Sequence, residues 1–299
     1  VSAALGLGTY RVRETDLAAL TAIQGGAAWV DTAPAYQDGR AHHLLRRVLA
    51  AHVDVQVSTK TGFFTAAQGR TAVAAGVLSE AQAARGHDLG PAFVRWQTGQ
   101  SLDDLGGWAN VVFVHNPERV SRHPHVVRGA LRRAFTVLEE FRAAGRIGGY
   151  GVATWSGLDE LFSVRDLLEL AQQAAGSARH SLIAVQQPVS LVMDRPIRQA
   201  LDGRGPLVQA RAAGLMTFAS APLHGGELPG MVSPELAGLI RPGLSPAAAC
   251  LLATVSTPSL DVVLLSASDH QHWTEAAQAT ALSLDARRLR EITDVLATP

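Results

Sequence analysis

Cysteine, lysine and tyrosine are scarce in this 299-residue chain, and each scarcity is informative. The lone cysteine, Cys250, excludes a disulfide within the chain and suits a reducing cytoplasm. It lies in PAAACLLATV, where a small buried helix residue is the ordinary reading and a reactive thiol the alternative. No apolar run reaches the ~20 residues needed to cross a bilayer. The N-terminus shows no basic region followed by an apolar one, so no secretory signal is expected. Neither sign of charge dominates: 26 basic residues balance 26 acidic ones without long runs. The electrostatic footprint of a nucleic-acid or anionic-membrane binder is therefore missing. Only one basic residue is a lysine, Lys60. Heavy use of Ala, Arg and Gly lowers the information in each of those residues and raises it for Lys60.

What is present suits a globular chain with a sizeable core: 47% apolar and 17% charged residues. Short β-rich runs alternate with amphipathic segments. Strands are expected at 5–10, 29–32, 55–59, 111–114, 150–154, 181–186, 215–219 and 262–265. Helices are expected at 14–24, 41–51, 93–105, 127–144, 161–174, 195–213, 246–255, 270–279 and 285–296. Gly145 and Gly214 read as helix stops, and Ser245-Pro246 as a helix start. The long loop from Thr65 to Pro91 is expected to carry a short helix of its own. Eight strand–helix repeats favour a closed (β/α)₈ barrel, a TIM barrel with a parallel sheet and outer helices, over residues 1–299 as one domain. A doubly wound open sheet is the alternative, but Gly6-Leu7-Gly8 lacks the third glycine of its phosphate fingerprint.

Active sites of such barrels gather at the C-terminal ends of the strands. There the sequence has Asp31 and Tyr36 after strand two, Lys60 ending strand three and His115 ending strand four. Each has a plain structural reading: a loop cap, a packed loop aromatic, a surface charge, a satisfied histidine. Together they suit proton transfer to a carbonyl or alkoxide oxygen. A phenol of pKa ~10 is a weak acid at neutral pH, and a nearby ammonium is expected to lower that value. A carboxylate would hold the ammonium, and a histidine would orient the substrate oxygen.

The chain resembles the aldo-keto reductases over nearly its whole length. The resemblance is carried by LGLGT (5–9), WVDTAPAYQDGR (29–40), VSTKTG (57–62), SLDDLGG (101–107) and VVFVHNPE (111–118). GYGVATW (149–155), VQQPVS (185–190), ASAPLHGG (219–226) and VVLLSAS (262–268) continue it in order. It implies a (β/α)₈ barrel, a nicotinamide dinucleotide (NADPH in most members, NADH possible) and a small carbonyl or alcohol substrate. It also implies a tetrad of Asp31, Tyr36, Lys60 and His115, with Tyr36 as proton donor. Cofactor contacts would come from Gly8, Thr9, Tyr10, Asp31 and Gln186, and from Thr154, which with Ala153 replaces a Ser-Asn pair. Ser220 stands where an aromatic usually stacks on nicotinamide, followed by Ala221 and Leu223, so Trp155 is the candidate to cover the ring. Ser266, Ser268 and His272 fall in the last cofactor loop, which has no Lys or Arg for a 2′-phosphate. Phe63 and Trp155, with Tyr36 and His115, would line the substrate pocket, and Phe64 and His224 are further candidates.

The pairs His42/His43, His123/His125 and His270/His272 lack metal-ligand spacing and read as solvated loop histidines. The eroded last loop keeps two other readings open: a barrel retained for dinucleotide sensing or regulation, and a non-redox acid/base enzyme such as an epimerase.

Overall fold

The computed structural model describes residues 3–297. Eight strands pair in parallel, each with its sequence neighbours, and the last returns to the first to close a barrel. They are β1 (Ala4–Gly8), β2 (Trp29–Asp31), β3 (Gln56–Thr61) and β4 (Ala109–His115), then β5 (Ile147–Ala153), β6 (Leu182–Pro188), β7 (Met216–Ser220) and β8 (Val262–Leu265). The expected (β/α)₈ architecture is the one observed.

Strand alternation sends every second side chain inward. Trp29, Val111, Phe113, Ala184, Phe218, Val262 and Leu264 form the barrel's own core. Phe218 meets Trp29 at 4.9 Å and Phe113 at 5.4 Å, both edge to face. β5 makes room for these rings with glycine: a Cβ on Gly151 would lie 2.6 Å from the Phe113 ring and 2.6 Å from the Ala184 carbonyl. Large and small residues thus interdigitate around a filled interior.

Outward side chains pack against the helical shell. The helix Pro124–Ala143 starts with proline in its first turn, where no N–H is needed. It buries Val127, Ala130, Leu131, Ala134, Phe135 and Leu138, the three- and four-residue spacing of one helical face. Each large apolar side chain buried there stabilises by roughly 1.5–3 kcal/mol. Gly145, at φ 69°, follows this helix as expected. Ser245 likewise caps the helix Pro246–Val255, accepting from the Ala248 N–H at 3.2 Å. Cys250 is buried in that helix and unpaired, and burial pushes its thiol up to about 12.

Two expectations about helices are corrected. The segment expected as one helix over 195–213 is two, Arg195–Leu201 and Pro206–Ala212. Gly203 and Gly205, at φ 70° and 87°, turn the chain between them, and Pro206 restarts it. The helix expected over 161–174 is observed as Val164–Ala175, capped by Ser163; the correction there is that a short helix not expected, Gly157–Glu160, precedes it. The long connection after β3 carries two short helices, Ala66–Ala74 and Glu80–Ala83, over a small core of Phe64, Ala72, Leu78 and Phe93. Among the described residues no helix is long and apolar enough to cross a membrane.

Candidate active site

The register of β2 to β4 assembles the four expected residues. Asp31 pairs with Ser58, two residues before Lys60, and Lys60 pairs with Phe113, two before His115. All of these stand on inward positions, so their side chains converge at the strand ends. The Lys60 ammonium forms an ion pair with Asp31 Oδ2 and donates to the Thr32 carbonyl at 2.9 Å. Asp31 Oδ1 accepts from Ser58 Oγ at 2.7 Å and from Gln186 Nε2 at 3.5 Å. Lys60 is only 2% exposed, so a surface charge is ruled out. Burial alone would lower its pKa, but Asp31 and Tyr36 outweigh that and hold the ammonium charged.

Lys60 Nζ lies 5.1 Å from the centre of the Tyr36 ring. His115 faces the same ring edge-on at 6.4 Å. The pKa of Tyr36 differs from the expectation. Burial raises it, and the opposing pull of Lys60, the next largest influence, is not enough to reverse the shift. The ammonium thus offsets desolvation without producing a phenolate, and the hydroxyl keeps its proton. Burial, helped by the Lys60 charge, holds His115 well below its ordinary value, so the imidazole is neutral. Its Nδ1 is buried without a hydrogen-bond partner.

Several residues that sequence reasoning missed support this group. Ser58 locks Asp31; its signal was the inward parity it shares with Lys60. His87, from the connection after β3, engages the His115 carbonyl through Nε2 at 2.8 Å. Gly62, at φ 136°, makes that approach possible, since a Cβ there would stand 2.9 Å from His87 Nε2. The chain after Tyr36 runs through three left-handed residues, Gln37 (φ 51°), Asp38 (54°) and Gly39 (88°). Such a conformation at two non-glycine residues costs roughly 1 kcal/mol or more each and persists only when neighbours hold it. Gln37 Nε2 donates to the Val12 carbonyl, and Gln68 Nε2 donates to the Pro34 carbonyl at 2.8 Å. Gln68 Oε1 also accepts from the Thr65 N–H at 2.9 Å, completing a capping box. One side chain thereby ties the inserted helix to the Tyr36 loop.

The expected cofactor residues are placed less uniformly. Gly8 is buried at an inward position, and its carbonyl accepts from Ser266 Oγ at 2.7 Å. Thr9 is buried, its hydroxyl donating to the Asp31 carbonyl at 3.0 Å. Tyr10 is 51% exposed, its ring 5.2 Å from that of Tyr36. Gln186 points inward beside Asp31. Ser220, Ala221 and Leu223 are half-buried at the end of β7, Ala221 at φ 51°. Thr154 does not join them. It follows the inward Ala153 and faces the other way, donating to Glu118 Oε2 at 2.8 Å and accepting from the Gly157 N–H at 2.8 Å. Glu118 also accepts from the Trp155 N–H at 2.6 Å, clamping the loop after β5 to the loop after β4. Trp155 is 48% exposed, 6.4 Å from the His224 ring. Ser268 Oγ accepts from the Arg13 N–H at 3.2 Å. His272 is exposed, its ring against Asp269, which caps the helix His270–Thr280.

Phe63 meets the His115 ring at 4.8 Å, whereas Phe64 is buried against Phe93 at 4.9 Å in the small core under the inserted helices. His42 is a correction. It lies on the buried face of the helix Ala41–Ala51, 2% exposed, with Nε2 2.8 Å from the outward Thr59 hydroxyl. Burial lowers its pKa to about 3. His123 and His125 stack at 5.9 Å on the surface. Among the described residues no cluster of His, Cys, Asp or Glu could hold a metal ion.

Comparison with known structures finds the same fold repeatedly. An aldo-keto reductase from Klebsiella pneumoniae in complex with NADPH superposes with a TM-score of 0.68 at 18% identity, over 99% of this chain and 92% of the other. The holo form of an aldo-keto reductase from Bacillus halodurans gives 0.71 at 18% identity, over 98% and 92%. An aldo-keto reductase from a Medee basin deep-sea metagenome library gives 0.68 at 17%, over 97% and 90%. No curated protein sequence matches the chain. The sequence profile of the Aldo/keto reductase family matches residues 4–236, a span that contains the whole tetrad, and the chain belongs to that family.

Proposed function

We propose that this protein reduces a small aldehyde or ketone to an alcohol, or runs the reverse step, with a nicotinamide dinucleotide and Tyr36 as proton donor. The buried Lys60–Asp31 pair beside a protonated phenol is the observation that carries the reading.

The residues present fit a dinucleotide. Gly8, buried on an inward position at the end of β1, presents bare backbone to the barrel mouth. Gln186 spends one N–H, at 3.5 Å, on Asp31 and presents an amide for the carboxamide. Tyr10 and Trp155 offer exposed flat rings. Ser220, Ser266 and Ser268 would complete the seat, Ser220 and Ser268 half-buried and Ser266 exposed. The Arg13 backbone N–H donates to Ser268 Oγ at 3.2 Å, which makes Arg13, an exposed residue beside the last loop, the candidate cation for the 2′-phosphate of NADPH. When bound, the dinucleotide supplies the hydride that reduces the carbonyl carbon.

The chain's own residues manage the proton. His115, neutral, orients the carbonyl oxygen. Tyr36 Oη gives its proton to that oxygen as negative charge develops there, and Lys60 stabilises the phenolate left behind. Asp31, held by Ser58, keeps Lys60 in place. Because the Tyr36 pKa is raised above 10.0, the acid form persists through neutral pH. The described chain is read as one domain in a cytoplasmic setting, in keeping with its single unpaired cysteine.

Titration of NADPH and NADH against tryptophan fluorescence tests the cofactor, and absence of binding at millimolar dinucleotide refutes the reading. Tyr36→Phe is expected to lower carbonyl reduction by roughly 10²–10⁴-fold while dinucleotide affinity stays nearly constant. Full activity would assign the proton to Tyr10 or to water.

A further inference from the structure

We propose that the site is built for carbonyl substrates that also carry an anionic group, a carboxylate or phosphate, and that Arg119 recognises that group. This rests on the reductase reading above. Arg119 closes the short turn Pro117–Arg119 directly after β4. Its guanidinium carbon stands 6.0 Å over the Phe63 ring, and that ring meets His115 at 4.8 Å. One aromatic ring therefore separates the cation from the imidazole that faces the substrate oxygen. Such a spacing suits a charged end a few carbons from the carbonyl.

The mount of Arg119 is stiff. Asn116 is left-handed at φ 45°, and its N–H donates to the Ala153 carbonyl at 2.7 Å. Pro117 is buried and fixes its own φ, and the Arg119 N–H donates to the Asn116 carbonyl at 3.0 Å. Two acids that act on His87 together with Arg119 are committed elsewhere. Glu118 accepts from Thr154 and Trp155, at 2.8 and 2.6 Å. Asp88 accepts from the Gly90 N–H at 2.6 Å and from Gln82 at 3.2 Å. Among the described residues Arg119 has no carboxylate partner. An exposed guanidinium held over a ring face by cation–π attraction has its N–H groups available to a carboxylate or phosphate. A second guanidinium over a ring, Arg11 at 5.3 Å from Tyr10, follows β1 instead of β4 and serves as the control.

The test compares kcat/KM for 4-oxobutanoate and for butanal, which share a chain length and differ in the terminal charge, with NADPH as donor. The ratio is expected to favour 4-oxobutanoate by roughly tenfold to a hundredfold and to fall as salt rises. Arg119→Met should bring the ratio close to one, and Arg119→Lys should keep part of it as a point charge. Arg11→Met should leave the ratio as it was. Parity in the unaltered protein, or a preference that survives Arg119→Met, overturns the proposal and leaves the reductase reading standing. Failure to reduce either aldehyde with NADPH or NADH overturns both.

Discussion

The two halves of the barrel mouth are built differently. On the β2–β4 side, Asp31, Ser58 and Lys60 are buried and bonded to one another, and the Tyr36 loop is held left-handed by Gln37 and Gln68. On the β5–β8 side, Ser220 is half-buried, Ser266 and His272 are exposed, and Asp269 and His272 mainly satisfy each other. The β2–β4 half, the proposed site of proton delivery, is organised by its own bonds. The β5–β8 half is a rim of short side chains and the exposed Trp155 ring, whose proposed dinucleotide contacts a ligand would complete. Acid–base chemistry needs charges fixed within a bond length, whereas a long, many-contact ligand tolerates a looser seat.

The contrast can be broken most severely at Lys60. Lys60→Met leaves Asp31 buried without its cation, so a loss of about 3–5 kcal/mol in chemical denaturation is expected. Carbonyl reduction should fall by roughly 10²–10⁴-fold in the folded fraction. A variant that keeps its rate would show that the pair is only a structural brace.

Gln68 sharpens the same half from outside it. Gln68→Ala removes the Gln68 half of the capping box, leaving the Thr65 cap, and removes the bond to Pro34, and kcat is expected to drop about tenfold with a stability loss of about 1 kcal/mol. Gln68→Glu keeps an acceptor for the cap but cannot donate to the Pro34 carbonyl. If Gln68→Glu restores stability and not kcat, the bond positions Tyr36. If it restores both, the residue is merely structural.

His42 connects the half to pH. Its folded pKa is lowered to about 3 from 6.5, so between those values the unfolded chain binds a proton that the native protein refuses. Its share of stability is therefore present above pH 6.5 and is lost progressively as pH falls toward 3. His42→Asn keeps a hydrogen-bonding group near Thr59 without titrating, and should flatten the dependence of unfolding free energy on pH across that window. An unchanged slope would point to other groups.

On the open half the expected effect is smallest. Asp269→Ala removes the cap of the helix His270–Thr280 and should cost only about 1 kcal/mol, read as a modest fall in Tm. A loss comparable to that of Lys60→Met would erase the distinction between the two halves.

Much of the site was legible because barrel chemistry collects at strand ends, and a strand end can be read locally. Asp31, Lys60 and His115 each terminate an apolar run, and a solitary lysine among arginines marked itself. Thr154 misled because matching to a motif ignores facing: Ala153 takes the inward position, so Thr154 turns to Glu118. His42 misled because a polar residue at a helix start reads as solvated until the opposite Thr59 is known. The brace at His87 carries no motif, and at Gln68 the T-x-x-Q signature of residues 65–68 marks a helix start but not the bond to Pro34. Both braces arise from a connection whose length was visible and whose path was not.

The sequence by itself determined the alternation of strands and helices, the closed barrel and which residues stand at the strand ends as the proposed proton-delivering group, because these rest on periodicity and on residue types at element ends. Tertiary structure decided which way each side chain faces and which acids are already committed. It also decided whether Lys60 or burial governs Tyr36. Those outcomes depend on desolvation and on partners tens of residues away, and burial proved the larger influence.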